Sequence, residues 1–425
     1  MLLPLDFSTS LPLACLLLAI PIFTTTYPTY NSSLKWFRLC LGVPTFLVAW
    51  RAAFPPALPN WLPPPAGYSQ VFTFGFYGMA RVLDVCLVGF WESPKDVSRW
   101  IARAKKQDDQ EDRNMAFVAV PLPTTLVGRL AYTIDNISSS RGSSIFAECS
   151  WDWAPRSIRE YRLSSRSEYV IDRTKALLRA VIVMDISEHI LHGCHWDLMI
   201  SNPVSSLPVT EQIWTTLALG TFVYAGVDLP YIISGLFWVG LCGSPPSSCP
   251  PLFSNKNPYT SHSLAEFWSL NWHTTFRRSF DRVSVPIVWA FQRLLGQHLS
   301  KPMLNFLRSF IIFGVSAILH IGIAYGIPFS PHANRRIVEL STLSFFLFQP
   351  FGLLFEIVFV KPATEGLPGV WKVWVRRAYL WVWILWTGRW FTDGYAFYEQ
   401  NVVRNFEYGP VWLFLYGLDF LRQKL

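Results

Sequence analysis

Residues 310–326, FIIFGVSAILHIGIAYG, form a nearly unbroken apolar run with one ionisable side chain, His320, near the middle. A segment that crosses a bilayer needs about 20 mainly apolar residues, because lipid offers the backbone no hydrogen-bond partners and a helix satisfies them internally. The run sits in the stretch 303–327, and the same reading extends to 8–26, 36–54, 70–91, 177–200, 212–241, 337–360, 371–392 and 408–421. The expected fold is therefore all-α and polytopic, with about eight or nine transmembrane helices.

Composition agrees. Of 425 residues, 51% are hydrophobic, 16% aromatic and only 15% charged, against roughly 25% charged in a soluble domain. Too little polar surface remains to coat a soluble globule of this length. The 20 tryptophans suit anchoring at the water interface, and the 31 prolines are tolerable where neighbouring helices cover the freed carbonyls. The net charge of +8 lies in loops between apolar segments. That pattern reads as the positive-inside bias rather than as a nucleic-acid surface. Cys15, Cys40, Cys86, Cys149, Cys194, Cys242 and Cys249 are scattered, so neither a disulfide framework nor a zinc site is expected.

No Lys or Arg precedes 8–26 and Asp6 does, so a retained first helix is expected rather than a cleaved signal peptide. Lys35 and Arg38 then face inward, with the N-terminus outside. Three regions follow: N-terminal helices over 1–91, a polar cytosolic loop region over 92–176, and a transmembrane core over 177–425. Within the loop, 116–133 is apolar but interrupted by Pro121 and Pro123, and is expected to lie at the interface or re-enter rather than cross. Asp228-Leu-Pro230 is expected to kink or split 212–241. Arg335 and Arg336 fall on the outer side and run against this topology.

The densest polar pattern is SHSLAEFWSLNWHTTFRRSFDR, 261–282. Read as one interfacial helix, it aligns Glu266, Ser269, His273 and Arg277 on one stripe and Trp268, Trp272 and Phe276 on another. Two readings stand side by side: a lipid anchor whose arginines touch phosphates, or a site for an anionic cofactor. His320 is sharper, since an ionisable group buried in lipid costs about 2–3 kcal/mol or more and so faces a bundle interior or cavity. Ser316, one turn earlier, is its expected partner in either a structural or a catalytic role. His189, His192 and His195 stand at intervals of three, but the other histidines are unpaired, so a metal centre is not expected. Arg81 and Asp84, at i and i+3, are expected to neutralise each other.

SLAEFW (263–268), then Trp272-His273 and Arg277, resembles a signature of the wax synthase-like branch of the membrane-bound O-acyltransferases. FGVSAILH (313–320) resembles that branch's second signature, which ends in a histidine. Pro251-Leu-Phe253 and Arg141-Gly142 resemble weaker landmarks, although RGSSIFAECSWDW replaces the usual continuation. The resemblance implies acyl transfer from acyl-CoA, acetyl-CoA above all, to a hydroxyl of a hydrophobic alcohol in the membrane lipids of the endoplasmic reticulum. Fungal relatives of this type acetylate terpenoids or meroterpenoids in secondary-metabolite biosynthesis; a wax-ester enzyme with a long-chain alcohol is the alternative. In this scheme His320 is the base, and His273 and Asn271 orient the thioester or stabilise the oxyanion. Arg277 and Arg278, with Arg282 as a third candidate and with Trp272 and Glu266, hold the CoA. No metal, tightly bound cofactor or nucleic acid enters. A transporter without catalysis is the reading of a different class.

Overall fold

The computed structural model describes residues 6–26, 32–55, 66–92, 99–103, 117–144, 149–159, 161, 165–193, 203–253, 258–272, 274–295, 299–325 and 335–396. Five helical segments among them are long and apolar enough to cross a membrane: Phe7–Thr24, Gln70–Trp91, Val209–Leu241, Lys301–Ala324 and Val338–Glu365. The protein is thus a predominantly helical membrane protein. The sequence reading of eight or nine spans also counted 36–54, 177–200 and 371–392, whose described residues fall in helices with more polar residues. The stretch 408–421 lies outside the described residues.

Helices α1 (Phe7–Thr24), α2 (Ser32–Ala53) and α3 (Ala66–Val82) pack against one another. Asp6 caps α1, its Oδ1 accepting from the Thr9 amide at 2.8 Å. α3 runs on through a π-turn at Leu83–Val88 into Gly89–Trp91. Its Gly75 lies against the Ala53 backbone, where any Cβ would collide. The missing side chain lets the two helices approach closely.

The polar region is more structured than a loop. Strands β1 (Trp100–Arg103) and β2 (Phe117–Ala119), helix α4 (Leu126–Ser138) and strand β3 (Ser150–Trp151) fold together. The antiparallel sheet has the order β2-β1-β3, pairing Ile101 with Ala119 and Trp100 with Trp151. Asp135 ties it to α4, accepting from the indole N–H groups of Trp100 at 2.7 Å and Trp151 at 3.0 Å. α4 has 13 residues, about 20 Å at 1.5 Å per residue, too short for a hydrocarbon core of about 30 Å. It buries Tyr132, Asp135 and Asn136 and exposes Leu126, Val127, Leu130 and Ile134. That outward apolar stripe accounts for the ambiguous hydropathy of 116–133.

Helices α5 (Arg166–Gly193) and α6 (Val209–Gly235) pair along their lengths. α6 passes through Pro230 as one helix and continues as a π-turn, Leu236–Leu241, so of the kink or split expected at Asp228-Leu-Pro230 the split does not occur. The residues 261–282 do not form the single helix expected. A short helix, Leu264–Glu266, passes into a π-turn, Phe267–Asn271, and the chain then turns extended at Trp272 (φ −81°, ψ 163°). A new helix, α7 (Arg277–Leu294), begins five residues later. The π-turn shifts the helical phase and the β-branched Thr274-Thr275 pair is a poor helix former, so the two stripes are broken.

Helix α8 (Lys301–Tyr325) carries the FGVSAILH run through the centre of the bundle. Val315 and Leu319 pack on Val48, Ala49, Phe72 and Phe76 of α2 and α3. Phe313 and Ala317 pack on Phe345 and Phe346 of α9 (Arg335–Phe355). α10 (Gly369–Ala396) lies against α9 and α6 and completes the wall. One helix therefore shares cores with both the N-terminal and the C-terminal helices.

Candidate active site

A chamber of about 1320 Å³ opens inside the bundle, walled by residues of α1 to α4 and α6 to α10. His320, Ser316, Trp268, Ser269, Trp272, Phe276 and Arg277 line it, so seven positions singled out in the sequence come to one cavity. His273 lies outside the described residues.

The local sequence explains why the SLAEFW segment sits where it does. Ser263 is the N-cap, its Oγ accepting from the Glu266 amide at 3.0 Å. The Glu266 carboxylate reaches back to accept from the His262 amide at 2.8 Å, a capping box extended by one residue. Glu356, in the π-turn after α9, accepts from the Leu264 and Ala265 amides at 2.7 and 3.2 Å. The Ser and Glu of the motif thus build the turn, and Glu266 is not among the chamber-lining residues. The Trp268 indole N–H donates to Gln349 Oε1 at 3.1 Å, and Gln349 donates in turn to Thr387 Oγ at 3.1 Å. This chain fixes the motif to α9 and α10. Trp272 stacks on Phe267 with ring centroids 5.5 Å apart.

His320 lies with its ring 4.4 Å from that of Phe346 and 6.0 Å from that of Phe391. Its Nδ1 is 2.7 Å from the Ser316 carbonyl oxygen. A carbonyl only accepts, so Nδ1 carries the hydrogen and Nε2 of the neutral ring carries the lone pair. That is the tautomer a general base requires. The Ser316 backbone, not its hydroxyl, does the orienting.

Asn271 is 1% exposed, donates from Nδ2 to Ser261 Oγ at 2.8 Å and does not line the chamber. The adjacent arginines diverge. Arg277 is exposed, lines the chamber and donates to the Ser269 carbonyl at 3.3 Å. Arg278 does not line the chamber. Its Nε and Nη2 bind Asp84 at 2.7 and 3.1 Å, and its guanidinium lies 4.8 Å from the Trp153 ring. Arg282 binds the same carboxylate at 2.5 Å and also pairs with Glu92. Arg81 pairs with Asp84 as expected from its spacing and also binds Asn136. Burial alone would lower the Arg282 pKa, but the two carboxylates outweigh it and hold the pKa above the ordinary value.

A second anchor joins the two weaker landmarks. Arg141, buried in the polar region, donates to the carbonyls of Pro250, Pro251 and Leu252 at 2.8, 2.6 and 3.1 Å. It also lies over the Tyr231 ring at 5.5 Å. Burial pushes its pKa down to about 10, still protonated at neutral pH. Gly142 follows at φ +91°, with the Ala154 backbone where a side chain would stand. Sequence reading flagged both Arg141-Gly142 and Pro251-Leu-Phe253 but had no means to pair them.

Both motifs and the Pro-Leu-Phe landmark fall inside one family match. Residues 249–348 match the Membrane bound O-acyl transferase family. Curated relatives agree with that O-acyl transferase family match. The chain is 26% identical over 214 residues to the acetyltransferase sirH of Leptosphaeria maculans, covering 48% of this chain and 50% of that protein. It is 27% identical over 146 residues to the acetyltransferase spyB of Aspergillus fumigatus, covering 32% and 24%. It is 28% identical over 179 residues to the acetyltransferase TRI7 of Fusarium sporotrichioides, covering 39% and 38%. These alignments span half or less of each relative's length. No solved structure matches the chain.

Proposed function

We propose that this protein is an acyl-CoA-dependent O-acetyltransferase of fungal secondary metabolism, acting on a hydroxyl of a hydrophobic terpenoid or meroterpenoid at the endoplasmic reticulum membrane. The observation that carries the reading is His320, with Nδ1 tied to the Ser316 carbonyl, on the wall of the large chamber. A family match around it and relatives named acetyltransferases support it. At about 1320 Å³ the chamber exceeds the roughly 300–1,000 Å³ of an ordinary small-molecule site. A donor arm and a polycyclic acceptor fit together in such a space.

In the proposed reaction the acceptor oxygen attacks the thioester carbonyl carbon while its proton passes to His320 Nε2. The C–S bond breaks, and the imidazolium returns the proton to the departing CoA thiolate. Arg277, exposed beside the chamber, meets the donor's phosphates, and the Trp272–Phe267 stack forms part of the wall. Asn271 acts by shaping the turn before His273. The thioester is already activated, so direct transfer in a ternary complex suffices. The three regions 1–91, 92–176 and 177–425 serve as helical support, polar cover and catalytic core.

The test uses microsomes carrying the full chain, labelled acetyl-CoA and a panel of terpenoid alcohols. Wild-type protein forms labelled ester, and His320→Ala lowers turnover by a factor of about 10²–10⁴. Ester formation by His320→Ala at the wild-type rate removes the proposed base. Absence of ester from every alcohol with wild-type protein favours the transporter reading.

A further inference from the structure

The chamber wall carries a polar patch that the proposed transfer chemistry leaves unused. Thr274 lines the chamber, is 7% exposed, and its Oγ has no hydrogen-bond partner among the described residues. Beside it, Thr275 Oγ accepts from the Tyr231 hydroxyl at 3.1 Å, and both of these residues also line the chamber. Tyr231 is held in turn by the Arg141 guanidinium over its ring. The patch is therefore anchored to the same clamp that holds Pro250–Leu252. Neighbouring wall positions, Phe276 and Phe280, are aromatic and pack on Phe76.

Buried hydroxyls nearly always find a partner, and leaving one unsatisfied is destabilising. In an apolar chamber, a bound molecule with an oxygen at this point removes that penalty. A threonine hydroxyl both donates and accepts, so a carbonyl, ether or hydroxyl oxygen serves equally. A simple long-chain alcohol has one oxygen, and the reaction requires it near His320. Such a molecule leaves Thr274 unpartnered and presses hydrocarbon against it. An oxygenated polycycle satisfies both places at once.

We propose that Thr274, backed by the Thr275–Tyr231 pair, is a specificity subsite that hydrogen-bonds a second oxygen of the acceptor, so that the substrate class is an oxygenated polycyclic alcohol. The inference rests on the acetyl-transfer reading for its chemistry and on the chamber wall for its geometry. Sites built to bind a substrate oxygen discriminate strongly against analogues that lack it, because the protein group is then left bare.

The experiment takes a panel of polycyclic mono-alcohols, each paired with analogues bearing one further ketone or hydroxyl, and full-length protein in microsomes with labelled acetyl-CoA. For at least one pair the wild type favours the oxygenated analogue by about tenfold or more in kcat/KM. Thr274→Val brings that ratio close to one, and Thr274→Ser restores it in part. A ratio cancels any general loss of folded protein. Binding of the same pairs, read by quenching of tryptophan fluorescence without acetyl-CoA, reports the subsite even where no ester forms. Lost preference in binding with no turnover by wild type rejects acetyl transfer and keeps the subsite. Preference that is absent from wild type, or unchanged by Thr274→Val in both measurements, overturns the subsite. A rise in acetyl-CoA KM with acceptor ratios intact also overturns it, by assigning Thr274 to the donor arm.

Discussion

Asp84→Asn tests the charge cluster that anchors α7. In the wild type, three guanidinium groups, Arg81, Arg278 and Arg282, meet two carboxylates, Asp84 and Glu92, leaving one net positive charge. Asparagine leaves two, in a place where Asp84 and Arg81 are each only 2% exposed. It keeps one acceptor oxygen but abandons most of the charge-assisted bonds, each worth roughly 1.5–3 kcal/mol. Breaking a single buried pair costs about 3–5 kcal/mol, and three cations share this carboxylate, so a loss near 5 kcal/mol is expected. At about 2 °C per kcal/mol, the unfolding midpoint of detergent-solubilised protein falls by about 10 °C, followed by tryptophan fluorescence. Adding Arg278→Met to Asp84→Asn restores the single net charge. The double variant should be less damaged than the two singles combined, by roughly 1 kcal/mol or more of coupling. A midpoint for Asp84→Asn within 2 °C of wild type, or strictly additive singles, refutes the cluster as an anchor.

Arg141→Met orphans three carbonyls and should lower the midpoint by about 3–5 kcal/mol equivalent, with Arg141→Lys intermediate; equal midpoints for all three proteins would remove the clamp. Arg277→Ala should raise the acetyl-CoA KM by about tenfold while the acceptor KM stays within twofold, read in steady-state microsomal assays. Arg278→Met should do the opposite, lowering the midpoint with little change in donor KM, and a donor effect matching that of Arg277→Ala would return Arg278 to the CoA site. Glu356→Gln weakens the hold on the Leu264 and Ala265 amides and should cost about 1–2 kcal/mol in midpoint, with a lower kcat because the Trp272 turn loosens.

The parts of the protein legible in the sequence are those with local period or composition. The apolar run over 310–326 announced a spanning helix, and one histidine in it announced a cavity, because lipid tolerates such a group only on an inward face. The pairing of Arg81 with Asp84 followed from their spacing. What stayed hidden is long-range. Arg277 and Arg278 are adjacent letters with the same chemistry, yet one lines the chamber and the other is bound to Asp84, 194 residues away. The clamp from Arg141 to Pro250 spans 109 residues and rests on backbone carbonyls, which no residue type signals. The break at Trp272 was equally invisible, since a π-turn changes the phase of a helix without changing its composition.

These long-range contacts converge on one consequence for the chemistry. In the proposed transfer the donor is a charged, water-soluble thioester and the acceptor is greasy, so the reacting atoms must meet where neither substrate would stay by itself. α8 supplies such a place because its two faces share cores with different halves of the bundle, Val315 and Leu319 with α2 and α3, Phe313 and Ala317 with α9. His320 follows one turn after Ser316, whose carbonyl fixes the ring, so the basic nitrogen is held by the same helix that joins the halves. Arg277 reaches the chamber from α7, which Asp84 and Glu92 tie to the end of α3 through Arg278 and Arg282. Loosening that tie would shift the cation relative to His320, and misplacement by about 1 Å already costs on the order of 10²-fold in rate. The buried ions therefore act on the proposed transfer through distance: Asp84→Asn, in the fraction that remains folded, should lower kcat more than it raises the KM of either substrate.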